Sequence, residues 1–124
     1  MPARLRPLPA AEIAEVLARI DASEGAGDTP DKEDLRAAVK HFLAVLATRA
    51  PGKSVEVRVP PYAAIQCIEG ARHTRGTPPA VVETDGETWL HLARGRQNFA
   101  DAQYAGRIRA SGERSDLTPL LPLT

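Results

Sequence analysis

The chain has 124 residues, 43% of them apolar and 26% charged, which is the composition of one ordinary soluble domain rather than a disordered tail. Sixteen Lys and Arg balance sixteen Asp and Glu, so the basic excess that a nucleic-acid binder uses to displace phosphate counterions is missing. A single cysteine excludes an internal disulfide framework and a multi-cysteine zinc site. No apolar run reaches the length of a membrane span and no signal-peptide pattern opens the chain, so the expected location is cytoplasmic.

Residues 1–9 hold Pro2, Pro7 and Pro9 and read as a flexible leader. The rest, residues 10–124, reads as a single domain. Ile13, Val16, Leu17 and Ile20 recur at helical spacing and predict a first helix over about residues 10–22. Ser23 to Pro30 contains Gly25 and Gly27 and reads as a loop. Asp28 or Thr29 can cap a second helix, with Pro30 in its first turn. Leu35, Ala38, Val39, Phe42, Leu43 and Leu46 form its apolar stripe, and Pro51-Gly52 stops it.

After Lys53 the period changes. Val55, Val57 and Val59 alternate with Glu56 and Arg58, the pattern of a strand with one buried face, and Pro60-Pro61 ends it. Tyr62 to Ile68 is a second strand, apolar on both faces except at Gln66, which predicts an interior position in the sheet. Glu69 to Pro79 reads as a loop, and Ala80 to Glu83 as a third strand. Thr84 or Asp85 can cap a third helix carrying Trp89, Leu90, Leu92 and Ala93, ended by Gly95. Asn98 can cap a fourth with Phe99, Ala102 and Tyr104, stopped by Gly106. Arg107 to Ser111 alternates as a last strand. Ser115 or Asp116 then starts a short terminal helix of Leu117, Leu120 and Leu121, limited by Pro119 and Pro122. The sum is α+β: two N-terminal helices, then a mostly antiparallel sheet of four to five strands with helices packed on one face.

Several stretches together resemble the sterol carrier protein family. They are V-V-E-T-D (Val81–Asp85), T-W-L-H-L-A-R-G-R (Thr88–Arg96), F-A-D-A-Q-Y-A-G-R-I-R-A-S-G (Phe99–Gly112) and S-D-L (Ser115–Leu117). The stretch R-V-P-P-Y-A-A-I-Q-C-I-E-G (Arg58–Gly70), continuing to Pro79, is similar to a small, stand-alone actinobacterial branch of that family. The resemblance implies a sheet with helices on one face, enclosing an apolar cavity for a lipid or other hydrophobic small molecule, with no catalysis and no cofactor. On that reading the lining comprises Val57, Ile65, Val82, Trp89, Leu92, Phe99, Ile108, Leu117, Leu120 and Leu121, each of which would serve equally as plain core. Burying roughly 300 Å² of acyl chain at about 25 cal/mol per Å² gives about 7 kcal/mol before the cost of lost freedom, hence micromolar binding. The alternatives are an accessory or interaction module without a usable cavity, or a small enzyme.

Polar chemistry concentrates in Arg72-His73-Thr74-Arg75, where two guanidiniums and an imidazole could hold an anionic headgroup or pair with Glu69 and Glu83 instead. Cys67 with His73 is the only nucleophile–base pair, and mid-strand placement argues for a buried, inert thiol. His41 and His91 lack helical partners for a metal. Glu83 and Asp85 form a carboxylate pair at a strand end, more simply read with Asp85 as a helix cap. Nothing indicates nucleic acid or stable membrane insertion, and the Pro-rich ends leave monomer and homodimer both open.

Overall fold

The computed structural model describes residues 5–70, 80–112 and 115–124. Its elements are α1 (Ala10–Gly25), α2 (Lys32–Arg49), β1 (Val55–Val59), β2 (Ala63–Cys67), β3 (Ala80–Thr84), α3 (Gly86–Ala93), α4 (Phe99–Tyr104) and β4 (Ile108–Ser111), followed by a 3-10 turn at Thr118–Leu120. The α+β class and the order of elements are as the sequence predicts.

Helix α1 buries Val16 and Ile20 and continues one turn past the expected end at residue 22. Helix α2 is capped by Asp31, whose carboxylate accepts the Glu33 N–H at 2.8 Å. The expected cap at Asp28 or Thr29 is therefore displaced, and Pro30 stands before the helix rather than in its first turn. The predicted stripe is buried: Ala38, Val39, Phe42, Leu43 and Leu46 join one continuous core. His41 is also on this face. Its Nδ1 accepts the backbone N–H of Leu8 at 2.9 Å, which ties the segment before α1 to α2.

The strands lie in the order β2-β1-β3-β4. Pairs β1/β2 and β3/β4 are antiparallel, and β1/β3 is parallel, so the sheet is mixed. The expectation that β2 is interior is corrected: it is an edge strand. The tight Pro60–Tyr62 connection, closed by the Tyr62 N–H donating to the Val59 carbonyl at 2.9 Å, folds β2 back beside β1. β3 takes the other side of β1. The second apolar face of β2 is only Ala64, small enough to leave exposed at little cost.

Register sorts the side chains by face. Val57 faces Ile65 on one side and Val82 on the other, Val82 faces Ala110, and Thr84 faces Ile108. That inner face is the apolar one. On the outer face Arg58 pairs across to Glu83 and Glu83 to Arg109, a solvated row of alternating sign. Helix α2 lies over β2 and against α3, and α1 packs on α2. Trp89 of α3 is fully buried, and its Nε1–H donates to the Val39 carbonyl of α2 at 3.3 Å.

The end of α2, the start of β1 and the end of β2 meet at one knot. Ile68 holds φ 64°, a conformation a β-branched residue rarely adopts. Three hydrogen bonds hold it there: its N–H donates to the Ala50 carbonyl at 2.7 Å, and its carbonyl accepts from the Ser54 N–H at 3.0 Å and the Ser54 hydroxyl at 2.6 Å. Gly52, at φ 150°, passes so close that a Cβ would stand 2.1 Å from the Ile68 carbonyl carbon. Gly52→Ala is therefore expected to cost at least about 2 kcal/mol of folding stability, read as a fall in the urea midpoint.

Burial holds the His41 imidazole below its ordinary pKa, because the charged form is poorly solvated. An Nδ1 that accepts a hydrogen bond also cannot carry the proton. In the window below about pH 6.5 the unfolded chain binds that proton and the folded chain resists it. The contribution of His41 is thus present above that range and is lost as pH falls. Comparing wild type with His41→Gln between pH 7 and pH 5 by thermal melts is expected to show the steeper decline in wild type.

Candidate functional site

The residues predicted to line a cavity fall into two groups. Val57, Val82, Trp89, Ile108 and Leu117 are buried inside the continuous core, and Ile65 and Leu120 pack half-buried against it. Leu92 and Phe99, which belong to the same core, and Leu121, packed against it, also line a surface cleft of about 480 Å³ between the end of α3 and the start of α4.

Local chemistry builds this cleft. Helix α3 starts at Asp85, whose two carboxylate oxygens accept the Thr88 N–H at 2.8 Å and the Thr88 hydroxyl at 2.9 Å. Asp85 is therefore a cap, and its oxygens are occupied. Gly95, at φ 73°, turns the chain out of α3. Asn98 then caps α4 by accepting the Asp101 N–H at 2.7 Å, while its amide donates back to the Asp101 carboxylate at 2.9 Å. The C-terminal segment crosses over this end. Leu117 and Leu123 are buried, and the Leu123 N–H donates to the Ala93 carbonyl at 2.8 Å. The predicted terminal helix is only a 3-10 turn. Asp116 starts it by accepting from the Thr118 N–H and hydroxyl, and Pro119 and Pro122 deny a longer helix its amide donors.

Leu92 and Phe99 are 1% and 2% exposed, so they back the cleft while Leu121 and Pro122 supply its open apolar wall. Arg96, Gln97, Asn98, Asp101 and Thr118 form the polar rim. Arg96 is the rim's cation. It reaches Asp21 only at 3.4 Å, whereas Arg94 holds the same carboxylate with two bonds of 2.8 Å. That paired guanidinium keeps the Asp21 carboxyl below its usual range. Arg96, Pro122 and Leu123 escape a reading of the sequence. Leu123 stands among prolines outside any periodic pattern, and Arg96 differs from its neighbours only in what Arg94 leaves unoccupied.

Arg72, His73 and Arg75 lie outside the described residues, as does any pairing of His73 with Cys67. Cys67 itself is fully buried at the inner face of β2, and burial pushes its thiol up to about 11. It acts as a small apolar side chain. Among the described residues no three His, Cys, Asp or Glu side chains gather closely enough to hold a metal ion, and no helix is long and apolar enough to cross a membrane.

The family model described as bacterial SCP ortholog, SCP being sterol carrier protein, matches residues 31–123, from the cap of α2 to the buried Leu123. No curated protein matches the chain.

Iodoacetamide is expected to leave Cys67 unmodified in the native protein and to label it once urea unfolds the chain. Stoichiometric native labelling, followed by mass spectrometry, would contradict a buried thiol.

Proposed function

The chain belongs to the bacterial SCP ortholog family, and from that premise we propose that it is a non-enzymatic carrier of one lipid or other hydrophobic small molecule, held in the cleft backed by Leu92, Phe99 and Leu121. The observation that supports this reading is that three apolar residues, Leu92, Phe99 and Leu121, meet at a cleft of about 480 Å³ in a sterol-carrier-family chain. The space between sheet and helices is taken up by Val57, Val82, Trp89 and their neighbours, which favours the helical end as the binding place. An acyl chain would lie along Leu121 and Pro122, with Arg96 facing an anionic end. We extend the proposal to Arg72, His73 and Arg75 as further headgroup contacts, on their sequence chemistry alone.

The second reading is an accessory module without a ligand. The near-complete burial of Leu92 and Phe99 favours it, because a guest would then remove little further apolar surface from water. Native mass spectrometry separates the two: a carrier leaves its host with a bound lipid adduct, a module as the bare chain.

Displacement of an apolar fluorescent dye by fatty acids and sterols tests the carrier directly. Competition is expected in the micromolar range. Leu121→Trp fills the open wall from a half-buried position and is expected to weaken the competitor by about tenfold or more with an unchanged melting temperature. No competition by any lipid would remove the carrier reading.

A further inference from the structure

Ahead of α1 the chain runs Leu5-Arg6-Pro7-Leu8-Pro9. The prolines on either side of Leu8 carry no N–H, so this stretch offers a single amide between them. That amide is the one the His41 Nδ1 accepts at 2.9 Å, across 33 residues. Leu5 packs against the core just before it, and Leu8 is half-buried. Residues 5–9 therefore lie as a strap on α2, held by two leucines and one imidazole. The family match begins at residue 31, so the strap lies outside it.

The strap's hydrogen bond exists in one protonation state only. A neutral imidazole with its proton on Nε2 presents a bare Nδ1 lone pair. An imidazolium carries a proton on each nitrogen, and its Nδ1–H would point at the Leu8 N–H. His41 is only 8% exposed, so water does not readily take over the lost partner while the strap is down. No carboxylate compensates. Among the described residues, Arg6 of the strap, Glu12 and Glu15 of α1, Arg36 and Lys40 of α2, and Glu87 and His91 of α3 make no ion pair with the ring. β2, also packed on α2, brings only the neutral Cys67. The ring meets Phe42 edge-on, with centroids 4.9 Å apart, a contact that offers the charge no acceptor.

We propose that residues 5–9 form a pH-released strap: it is docked on α2 while His41 is neutral, and it lifts when His41 is protonated, with the helices and sheet still folded. The sign follows from linkage. The docked form resists the proton, and the lifted form takes it near the ordinary histidine pKa of about 6.5. Docking is therefore strongest above that value, and each pH unit below it multiplies the lifted-to-docked ratio by up to about ten. Lifting uncovers Leu5, Leu8 and the side of α2 beneath them, so the protein shows more apolar surface in acid than at neutral pH. The switch does not rest on the carrier reading.

The test is an NMR titration of the full chain from pH 7.5 to 4.5. It follows the heteronuclear NOEs of the Leu5, Arg6 and Leu8 amides beside the carbon shifts of the His41 ring. The three amides are expected to lose their NOE in step with the His41 titration, with the amides of β1 and β3 unmoved. His41→Gln keeps a side-chain acceptor that does not titrate, and is expected to hold the strap down throughout. A strap that stays ordered through the His41 titration, a His41 that remains neutral to pH 4.5, a His41→Gln variant that releases at the wild-type pH, or loss of β1 and β3 together with the strap would each overturn the proposal.

Discussion

Everything in this protein follows from a sheet that is apolar on one side only. β1 and β3, the two central strands, present Val55, Val57, Val59, Ala80 and Val82 to one face and Glu56, Arg58 and Glu83 to the other. The apolar face has to leave water, and a four-stranded sheet cannot close on itself to hide it. α2 supplies the cover, with its own stripe of Val39, Phe42, Leu43 and Leu46. α3 follows directly from β3 and adds Trp89, the largest fully buried side chain. With those positions taken, the short α4 and the C-terminal segment pack at the remaining end. The cleft lies beside them, backed by the buried Leu92 and Phe99.

The same constraint explains where polar groups go. Among the described residues no buried side-chain nitrogen or oxygen lacks a partner. Trp89 Nε1–H reaches the Val39 carbonyl, the Thr84 hydroxyl reaches the Arg107 carbonyl at 2.8 Å, and His41 takes the Leu8 N–H. Each bond also ties an element to a distant part of the chain, so satisfying a buried group and fixing a contact are one event. The Ile68 knot works in the same way: an unfavourable backbone angle is tolerated because three hydrogen bonds depend on it.

A smaller cleft opens between the end of α1, the loop into α2 and α3, and the two clefts differ in the charge of their rims. The larger one carries Arg96 and Asp101 on its rim, and Asn98 already engages the aspartate. The smaller one carries Glu24, Asp28, Glu87 and His91 beside Arg94, whose guanidinium Asp21 holds. Neither needs Cys67, whose burial makes it part of the core rather than of any chemistry.

What the residues alone determined is what depends on near neighbours. The stripe on α2, the alternation in β1, the caps Asp85 and Asn98 and the inert Cys67 are all set within a few positions along the chain, and all were legible. The edge position of β2, the burial of Leu123 on α3, the left-handed Ile68 and both clefts were not. Each depends on how whole elements pack, as do the Asp21–Arg94 pair, 73 residues apart, and the Leu8–His41 bond, 33 apart. Hydrophobic period states that a side chain will be buried; only the packed fold decides against what, and therefore where a hollow is left over.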